Sequence, residues 1–215
     1  MPQDAQGNAL TIASEEAARA FDHMVTGFLT YRFDTGLRLK AVLKLDAEAP
    51  LAQAMAGAFA LLAYDRGMLG RAEAALDRAA ALPATEREAA HIAALRHWAA
   101  GHPERALTAW EAIVAAHPRD LLAFRLHHFT AFWMGAKGRM LGLAERAMPG
   151  WSADVPGHGS MLACLCFAME ECGLYVPAEE AGRAAVALDP EELWAVHGVA
   201  HVLEMQGRRA EGLDW

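Results

Sequence analysis

Cysteine is scarce in this sequence, and the three that occur cannot support a disulfide framework. Cys164, Cys166 and Cys172 lie within nine residues, and an odd, local set of cysteines does not staple a fold. The Cys164/Cys166 spacing is also not that of a Cys-x-x-Cys redox or zinc pair. We therefore expect three reduced cysteines that act as small packing residues.

An excess of positive charge and long apolar runs are also missing. Nineteen Lys and Arg residues stand against 27 Asp and Glu, a formal charge of −8, which argues against a nucleic-acid or polybasic membrane surface. Charges interrupt each apolar run before the ~18 residues of a membrane span. The first six residues lack the basic and apolar regions of a signal peptide. The sequence thus predicts a soluble, cytoplasmic protein without nucleic-acid or membrane partners.

Strand patterns are absent as well, whereas the composition is that of a folded helical protein. β-Branched residues are sparse and apolar and polar residues do not alternate, which excludes a β-rich fold. Hydrophobic residues make up 54% and charged residues 21% of the 215 residues, a composition that folds. We expect an all-α protein.

A repeat of 34 residues organises the chain. A glycine followed five residues later by a small or compact residue recurs with spacings of 34, 34, 38 and 34, at Gly67, Gly101, Gly135, Gly173 and Gly207. An apolar, helix-periodic stretch lies on each side of every glycine, so we expect each to end one helix in the left-handed conformation. Prolines at Pro118 and Pro190 mark where the second helix of a unit stops.

These features resemble the tetratricopeptide repeat, a helix-turn-helix of 34 residues. Position 8, small in that family because the two helices cross there, holds Ala60, Ala94, His128, Cys166 and Ala200. The resemblance implies a right-handed α-solenoid, which we expect to form a single domain over residues 1–215. It would consist of a divergent N-terminal helix pair at 14–47 and five repeats at 53–215, the last one truncated. The four extra residues of the 38-residue spacing fall in a Pro/Gly-rich segment that we expect Trp151 to anchor.

A closer resemblance is to the tetratricopeptide repeat protein 38-like family. It rests on Glu192–Gly207, together with Phe167–Gly173 and His117–Ala123. Members of that family are longer and have further helical repeats after the segment that corresponds to Glu204–Gly207. The resemblance supplies no biochemical role.

The tetratricopeptide resemblance also implies which residues line a ligand-binding groove, because the first helix of each unit faces it. The groove-facing stripe has helical spacing. Some of these side chains, Trp98 and Phe129 among them, lie on a stripe that also faces the neighbouring helix, so core packing is an equal alternative. Carried onto this chain, the candidate binding residues are His91, Trp98, Arg125, Phe129, Phe132, Trp133, Glu170, Glu171, Trp194, His197, His201 and Glu204.

A histidine and carboxylate group is the sharpest feature of this set. His197, His201 and Glu204 lie at i, i+4 and i+7 and project from one helix face, and Glu170 lies one repeat earlier. One ion cannot bind all three positions, because i to i+7 spans about 10.5 Å. His201 and Glu204, completed by Glu170, are the candidate metal ligands. A hydrogen-bonded network lining the groove, a ligand-binding cluster and a metal or hydrolytic site all remain open here.

Two functional hypotheses follow from these observations. The first is a binding or scaffold protein, not an enzyme, whose acidic groove takes a peptide or small ligand without a cofactor. The alternative is a hydrolase-like enzyme that uses His197, His201, Glu204 and Glu170 for acid–base or metal-assisted chemistry. The catalytic residues of such an enzyme are not specified by the sequence.

The C-terminal repeat adds an expectation about assembly. The chain ends at Trp215, about one turn into the predicted second helix of the last unit. We expect Leu203, Leu213 and Trp215 to face open space, so that the chain forms a homo-oligomer through this edge or is a fragment of a longer solenoid.

Overall fold

A computed structural model describes all residues, 1–215, and is built of α-helices. Its only β interaction is an isolated bridge between Gln3 and Ala9. Two short 3-10 turns at Arg66–Met68 and Met148–Gly150 complete the regular structure. No helix is both long and apolar enough to span a membrane. The helices are α1 (Glu15–Leu29), α2 (Thr35–Leu45), α3 (Pro50–Leu61), α4 (Leu69–Ala80), α5 (Glu86–Ala99), α6 (Pro103–Ala116), α7 (Leu121–Trp133), α8 (Lys137–Ala147), α9 (His158–Glu171), α10 (Tyr175–Leu188), α11 (Leu193–Met205) and α12 (Arg209–Asp214).

Each glycine of the 34-residue repeat lies between two helices, and the all-α helical-repeat fold is confirmed. Four of these glycines have the expected left-handed backbone, with φ of 66° to 80°: Gly101, Gly135, Gly173 and Gly207. The expectation is wrong for the remaining one, Gly67, which lies inside the 3-10 turn. Tyr64 has the left-handed φ there instead, at 51°.

The helix starts follow local capping chemistry. At α5, the Thr85 side chain accepts from the Glu88 backbone N–H, and the Glu88 carboxylate accepts from the Thr85 N–H, which is a capping box. Proline occupies the first position of α3 and of α6, where its missing N–H costs nothing. Trp151 is buried in the extra segment, as expected.

The chain forms two compact units. Unit 1 comprises residues 1–28 and 32–127, and unit 2 comprises residues 29–31 and 128–215. In unit 1, α3 packs on α4, α5 packs on α6, and α3 contacts α5; in unit 2, α9 packs on α10 and both contact α11. The division into one solenoid with a helix pair at 14–47 and five repeats at 53–215 stays a prediction.

In unit 1 the N-terminal segment is bound to α1 and α5 by polar contacts. Arg87 donates to the Ala9 carbonyl at 3.0 Å, and the Glu88 carboxylate accepts from the Thr11 N–H at 2.9 Å. The Ala5 N–H donates to the Asp22 carboxylate at 2.9 Å. Burial raises the pKa of Asp22 to about 6, an effect that the Ala5 hydrogen bond opposes and the Asp4 carboxylate reinforces.

The core of unit 2 depends on a close approach of helices around Cys166. A methyl group at Gly198 would lie 2.8 Å from Cys166 Sγ, and one at Gly182 would lie 2.5 Å from Val199. The glycine inside α11, Gly198, is therefore explained by close helix contact. The cysteines are free; Cys164 and Cys166 are buried and Cys172 is partly buried. Burial raises the pKa of the Cys166 thiol to about 12, which suits a packing residue.

The C-terminal edge differs from expectation at two of its three residues. Leu203 is completely buried in the same core as Cys166, because α12 and Trp215 cover it. Trp215 is only partly exposed: its Nε1–H donates to the Val196 carbonyl at 3.0 Å, and the Arg183 guanidinium lies 4.7 Å from its ring centroid. Leu213 alone is as exposed as expected, at 90%.

The close approach predicts how glycine substitutions affect stability. Gly198→Ala should lower the free energy of unfolding by about 1–3 kcal/mol, because overpacking outweighs the better helix propensity of alanine. Adding Cys166→Ala should recover part of this loss, since the clashing sulfur is removed. Gly138→Ala on α8 is the control, because its new methyl group would meet nothing within 4 Å. Urea unfolding that shows Gly198→Ala to be as stable as Gly138→Ala would contradict this packing.

The raised pKa of Asp22 predicts that the stability of the fold depends on pH. Its pKa is higher in the folded chain than the ordinary 3.8, so its contribution to stability is fully present below about pH 4 and is lost as the pH rises through about 6. Asp22→Asn keeps an acceptor for the Ala5 N–H and cannot ionise. We expect it to raise the free energy of unfolding by about 1–2 kcal/mol near pH 7.5 and by almost nothing near pH 4.

Denaturant unfolding at both pH values measures this difference. Asp214→Asn, at an exposed position near the C-terminus, is the matched control and should change stability at neither pH. An equal gain for Asp22→Asn at both pH values would show that the carboxylate is not destabilised by burial.

Candidate functional site

The twelve sequence-predicted binding residues are divided between the two units. His91, Trp98 and Arg125 belong to unit 1. Unit 2 contains the other nine, which are Phe129, Phe132, Trp133, Glu170, Glu171, Trp194, His197, His201 and Glu204.

In unit 1 the expectation that His91 and Arg125 line an open groove is wrong. Both are buried, with 0% and 1% of their surface exposed. His91 Nε2 lies 2.9 Å from Asp120 Oδ2, which also accepts from Arg87 at 2.7 Å. Asp120 Oδ1 accepts from the Ala123 N–H at 2.8 Å. The helix face on which the repeat register places the ligand is here buried in the protein, and His91 on that face takes part in this network.

The network has a structural role at the start of α7. Burial alone would raise the pKa of Asp120, but His91, Arg87 and the Ala123 N–H together hold it well below its usual range. Asp120 therefore stays ionised and caps the first turn of α7. Trp98, the third candidate, is partly buried between Tyr64 and Trp110, with ring centroids 6.1 and 6.2 Å away, and thus shares in core packing.

Unit 2 has a continuous aromatic cluster, defined by Phe129, Phe132, Phe167 and Trp194. The Phe167 centroid lies 4.5 Å from Trp194 and 5.3 Å from Phe132, and Phe129 lies 5.5 Å from Trp194. Tilted and edge-to-face ring pairs at such distances contribute a favourable free energy in addition to that of burying apolar area. The Trp194 Nε1–H donates to buried His128 Nε2 at 3.2 Å, which fixes the indole in its orientation. α7, α9 and α11 each contribute to the cluster.

Tyr31 also belongs to this site, and the repeat register did not indicate it. Its ring centroid lies 6.2 Å from Phe129 and 6.0 Å from Trp194, and its backbone has a left-handed φ of 56°. A non-glycine residue in that region is strained unless its surroundings hold it. No sequence signal marks Tyr31, because it lies in a loop outside the register and its contacts are remote along the chain.

Two rings extend the cluster to the surface. Trp133 contacts Phe132 at 5.3 Å and is 64% exposed. The exposed His197 ring lies 5.0 Å from Trp194 and 5.6 Å from Phe167. The cluster thus has a buried base and an edge that solvent reaches.

The two histidines of α11 are in direct contact at this edge. His197 Nε2 and His201 Nε2 lie 2.8 Å apart, a separation that requires one nitrogen to donate and the other to accept. The pKa of His197 is lowered mainly by its partial burial and, to a smaller extent, by the neighbouring His201. On its other side, His201 Nδ1 lies 3.6 Å from Glu170 Oε2. Burial raises the pKa of Glu170, although His201 opposes this effect.

The acidic partners of His201 differ from those expected. Glu170, Glu171 and His201 place possible metal-ligand atoms within 4.8 Å of one another, whereas Glu204 lies outside this group. Glu204 is exposed one helical turn beyond His201 on the same helix. Glu171 on α9 instead occupies the position beside His201 that was predicted for Glu204. The four residues of the hydrolase hypothesis are therefore not brought together as one set.

Comparison with solved structures finds a helical domain to which this chain is similar. No protein-family model matches the chain. The crystal structure of the P58(IPK) TPR domain is similar over 93% of this chain, with 13% sequence identity and a TM-score of 0.36. The match covers 58% of that domain, less than two thirds of its length. A similarity at this level supports no comparison of sites or ligands.

The histidine contact predicts how the pKa of His197 responds to loss of its neighbour. His201→Ala removes the neighbouring ring that lowers the pKa of His197, so the pKa of His197 should rise towards its ordinary 6.5. A titration of the imidazole C–H signals by NMR measures this change. Glu204→Gln is the control, because Glu204 lies outside the group, and should leave the pKa of His197 unchanged. An unchanged or lowered value in His201→Ala would contradict the contact.

Proposed function

We propose that this chain is a tetratricopeptide-type protein-binding module whose unit 2 binds a peptide segment with basic side chains. The observation that carries the proposal is the surface edge of the aromatic cluster, where Trp133 and His197 are exposed. His201, which His197 contacts, lies beside the carboxylates of Glu170 and Glu171. The resemblance to the tetratricopeptide repeat protein 38-like family belongs to the same proposal. That resemblance favours a helical-repeat fold and leaves the function to be inferred from the site.

The exposed rings support a binding role. A tryptophan that is 64% exposed leaves a large apolar area in water, and such residues are enriched among those that dominate protein interfaces. Trp133 is held from one side by Phe132, and the rings below it are packed against one another. A rigid aromatic edge of this kind binds a partner with little loss of side-chain entropy.

The charge of the site favours a basic ligand. Glu170 and Glu171 lie beside His201, Glu204 follows on α11, and the whole chain has a formal charge of −8. A lysine or arginine side chain can pair with these carboxylates and stack on an aromatic face. We therefore infer a peptide with a basic residue flanked by apolar ones, in preference to an acidic peptide.

The hydrolase alternative gains no support of its own. Its four residues are not assembled, since Glu204 lies apart from Glu170 and His201. A small-molecule ligand and a second copy of this chain are the other occupants that the aromatic edge can accept. The binding experiment separates the second copy from the peptide.

The test is a comparison of basic, neutral and acidic peptides of equal length and matched apolar content, with binding followed by calorimetry and by tryptophan fluorescence. We expect the basic peptides to bind tightest. Trp133→Ala should weaken the binding of the basic peptides by about tenfold or more, as truncation of a central interface tryptophan does. Leu213→Ala, which removes an apolar side chain on α12 that is even more exposed than Trp133, is the control and should have no effect.

Three results would contradict the proposal. Binding that is equally strong for acidic peptides would remove the role of the carboxylates. Equal losses in Trp133→Ala and Leu213→Ala would remove the role of the aromatic edge. Concentration-dependent self-association that Trp133→Ala abolishes, without peptide binding, would show that a second copy occupies the surface.

A further inference from the structure

We propose that Glu170, Glu171 and His201 form a binding site for a divalent transition-metal ion of the Zn²⁺ class. The site joins α9 to α11, because the carboxylates come from the end of α9 and the imidazole from α11. Their possible ligand atoms already lie within 4.8 Å of one another. This inference goes beyond peptide binding and does not rest on it.

The first argument is a buried carboxylate oxygen that lacks a hydrogen bond. Glu170 is 6% exposed, and its Oε2 has no hydrogen-bond partner. The imidazole nitrogen His201 Nδ1 lies 3.6 Å from it, which is beyond hydrogen-bond distance. Buried carboxylates are normally hydrogen-bonded, paired with a charge or coordinated to a metal. An ion between Glu170 and His201 satisfies both atoms.

The spacing of these two atoms is the second argument. Zinc binds carboxylate oxygen and imidazole nitrogen at about 2.0–2.2 Å, so two ligands of a tetrahedral ion lie about 3.4 Å apart. The 3.6 Å between Glu170 Oε2 and His201 Nδ1 is close to that value. Glu171 needs only a small movement of its flexible side chain to come within the same range.

The third argument is the tautomer of His201. His201 Nε2 lies 2.8 Å from His197 Nε2. When His201 donates this hydrogen bond, its Nδ1 keeps a lone pair on the side of Glu170 and Glu171. A second nitrogen held in this way is the usual arrangement of metal-binding histidines, because it fixes the ring and the tautomer. His197 is thus a positioning residue.

Ligand chemistry indicates the class of ion. Two carboxylates neutralise a divalent charge, and the imidazole favours zinc and similar transition metals over Ca²⁺, which prefers six to eight oxygen ligands. Lys137 also lies nearby: its ammonium donates to the backbone carbonyl of Glu171 at 3.0 Å, and its charge helps to keep Glu170 ionised. Three protein ligands leave a coordination position open for water.

The experiment titrates the full chain, first dialysed against a chelator, with zinc chloride alone, in competition with a chromogenic chelator. We expect one saturable site per chain and a rise in the unfolding temperature on zinc binding. Glu170→Gln, which keeps the shape of the side chain, and His201→Ala should each weaken binding by about tenfold or more. Glu204→Gln is the matched acidic control and should bind as the parent chain does.

Cobalt substitution provides an independent readout of the ligands. Co²⁺ in the parent chain should give visible absorption bands of a four- or five-coordinate nitrogen and oxygen site, and these bands should be lost in His201→Ala. Circular dichroism of each variant establishes that it folds. Absence of saturable zinc binding, undiminished binding by folded Glu170→Gln, or an equal loss in Glu204→Gln would overturn the proposal. Because no peptide is present, these outcomes are separate from those that test peptide binding.

Discussion

The close packing of α9 against α11 is the constraint on which the surface of unit 2 depends. Gly198 presents only a hydrogen to Cys166, and a methyl group at that position would come within 2.8 Å of the sulfur. Because the two helices approach this closely, the side chains that follow on each of them meet. Phe167 and Glu170 on α9 are thereby placed against Trp194 and His201 on α11. The small residues Gly198 and Cys166 in the core thus determine which side chains meet at the surface.

Polar and aromatic contacts reinforce one another at this junction. Phe167 lies within 5.6 Å of both His197 and His201, so the rings that support the aromatic edge also limit the movement of the histidines. The histidine contact leaves the opposite nitrogen of His201 on the side of Glu170. A surface for peptides and a site for a metal ion therefore share one base, and both involve the carboxylates of Glu170 and Glu171.

The repeat register predicted the helices well because its signals are local. A glycine that ends a helix and a proline that follows one act within a few residues. The helices from α5 to α12 therefore lie in pairs on either side of the predicted glycines, Gly101, Gly135, Gly173 and Gly207. Gly67 is the exception, because the turn there is a 3-10 segment and Tyr64 has the left-handed conformation. Nine of the twelve residues that the resemblance assigned to a groove lie in unit 2, and their binding role stays a prediction.

The remaining features depend on contacts that are remote along the chain. Helical spacing shows that His91 and Arg125 share a face with other candidates, but not that neighbouring elements bury that face. It groups Glu204 with His201, whereas packing against α9 brings Glu171 to His201 instead. Tyr31 reaches the aromatic cluster from a loop, and Leu203 is covered by residues that the register treated as an open edge.

The most direct test of the account is an NMR map of the tryptophan indole N–H signals on addition of a basic peptide. The six tryptophans are distributed over both units, with Trp98 and Trp110 in unit 1 and Trp133 and Trp194 among those in unit 2. The account predicts shifts at Trp133 and Trp194 and none at Trp98 and Trp110. Shifts confined to the unit 1 tryptophans would show that the aromatic edge of unit 2 is not the binding surface.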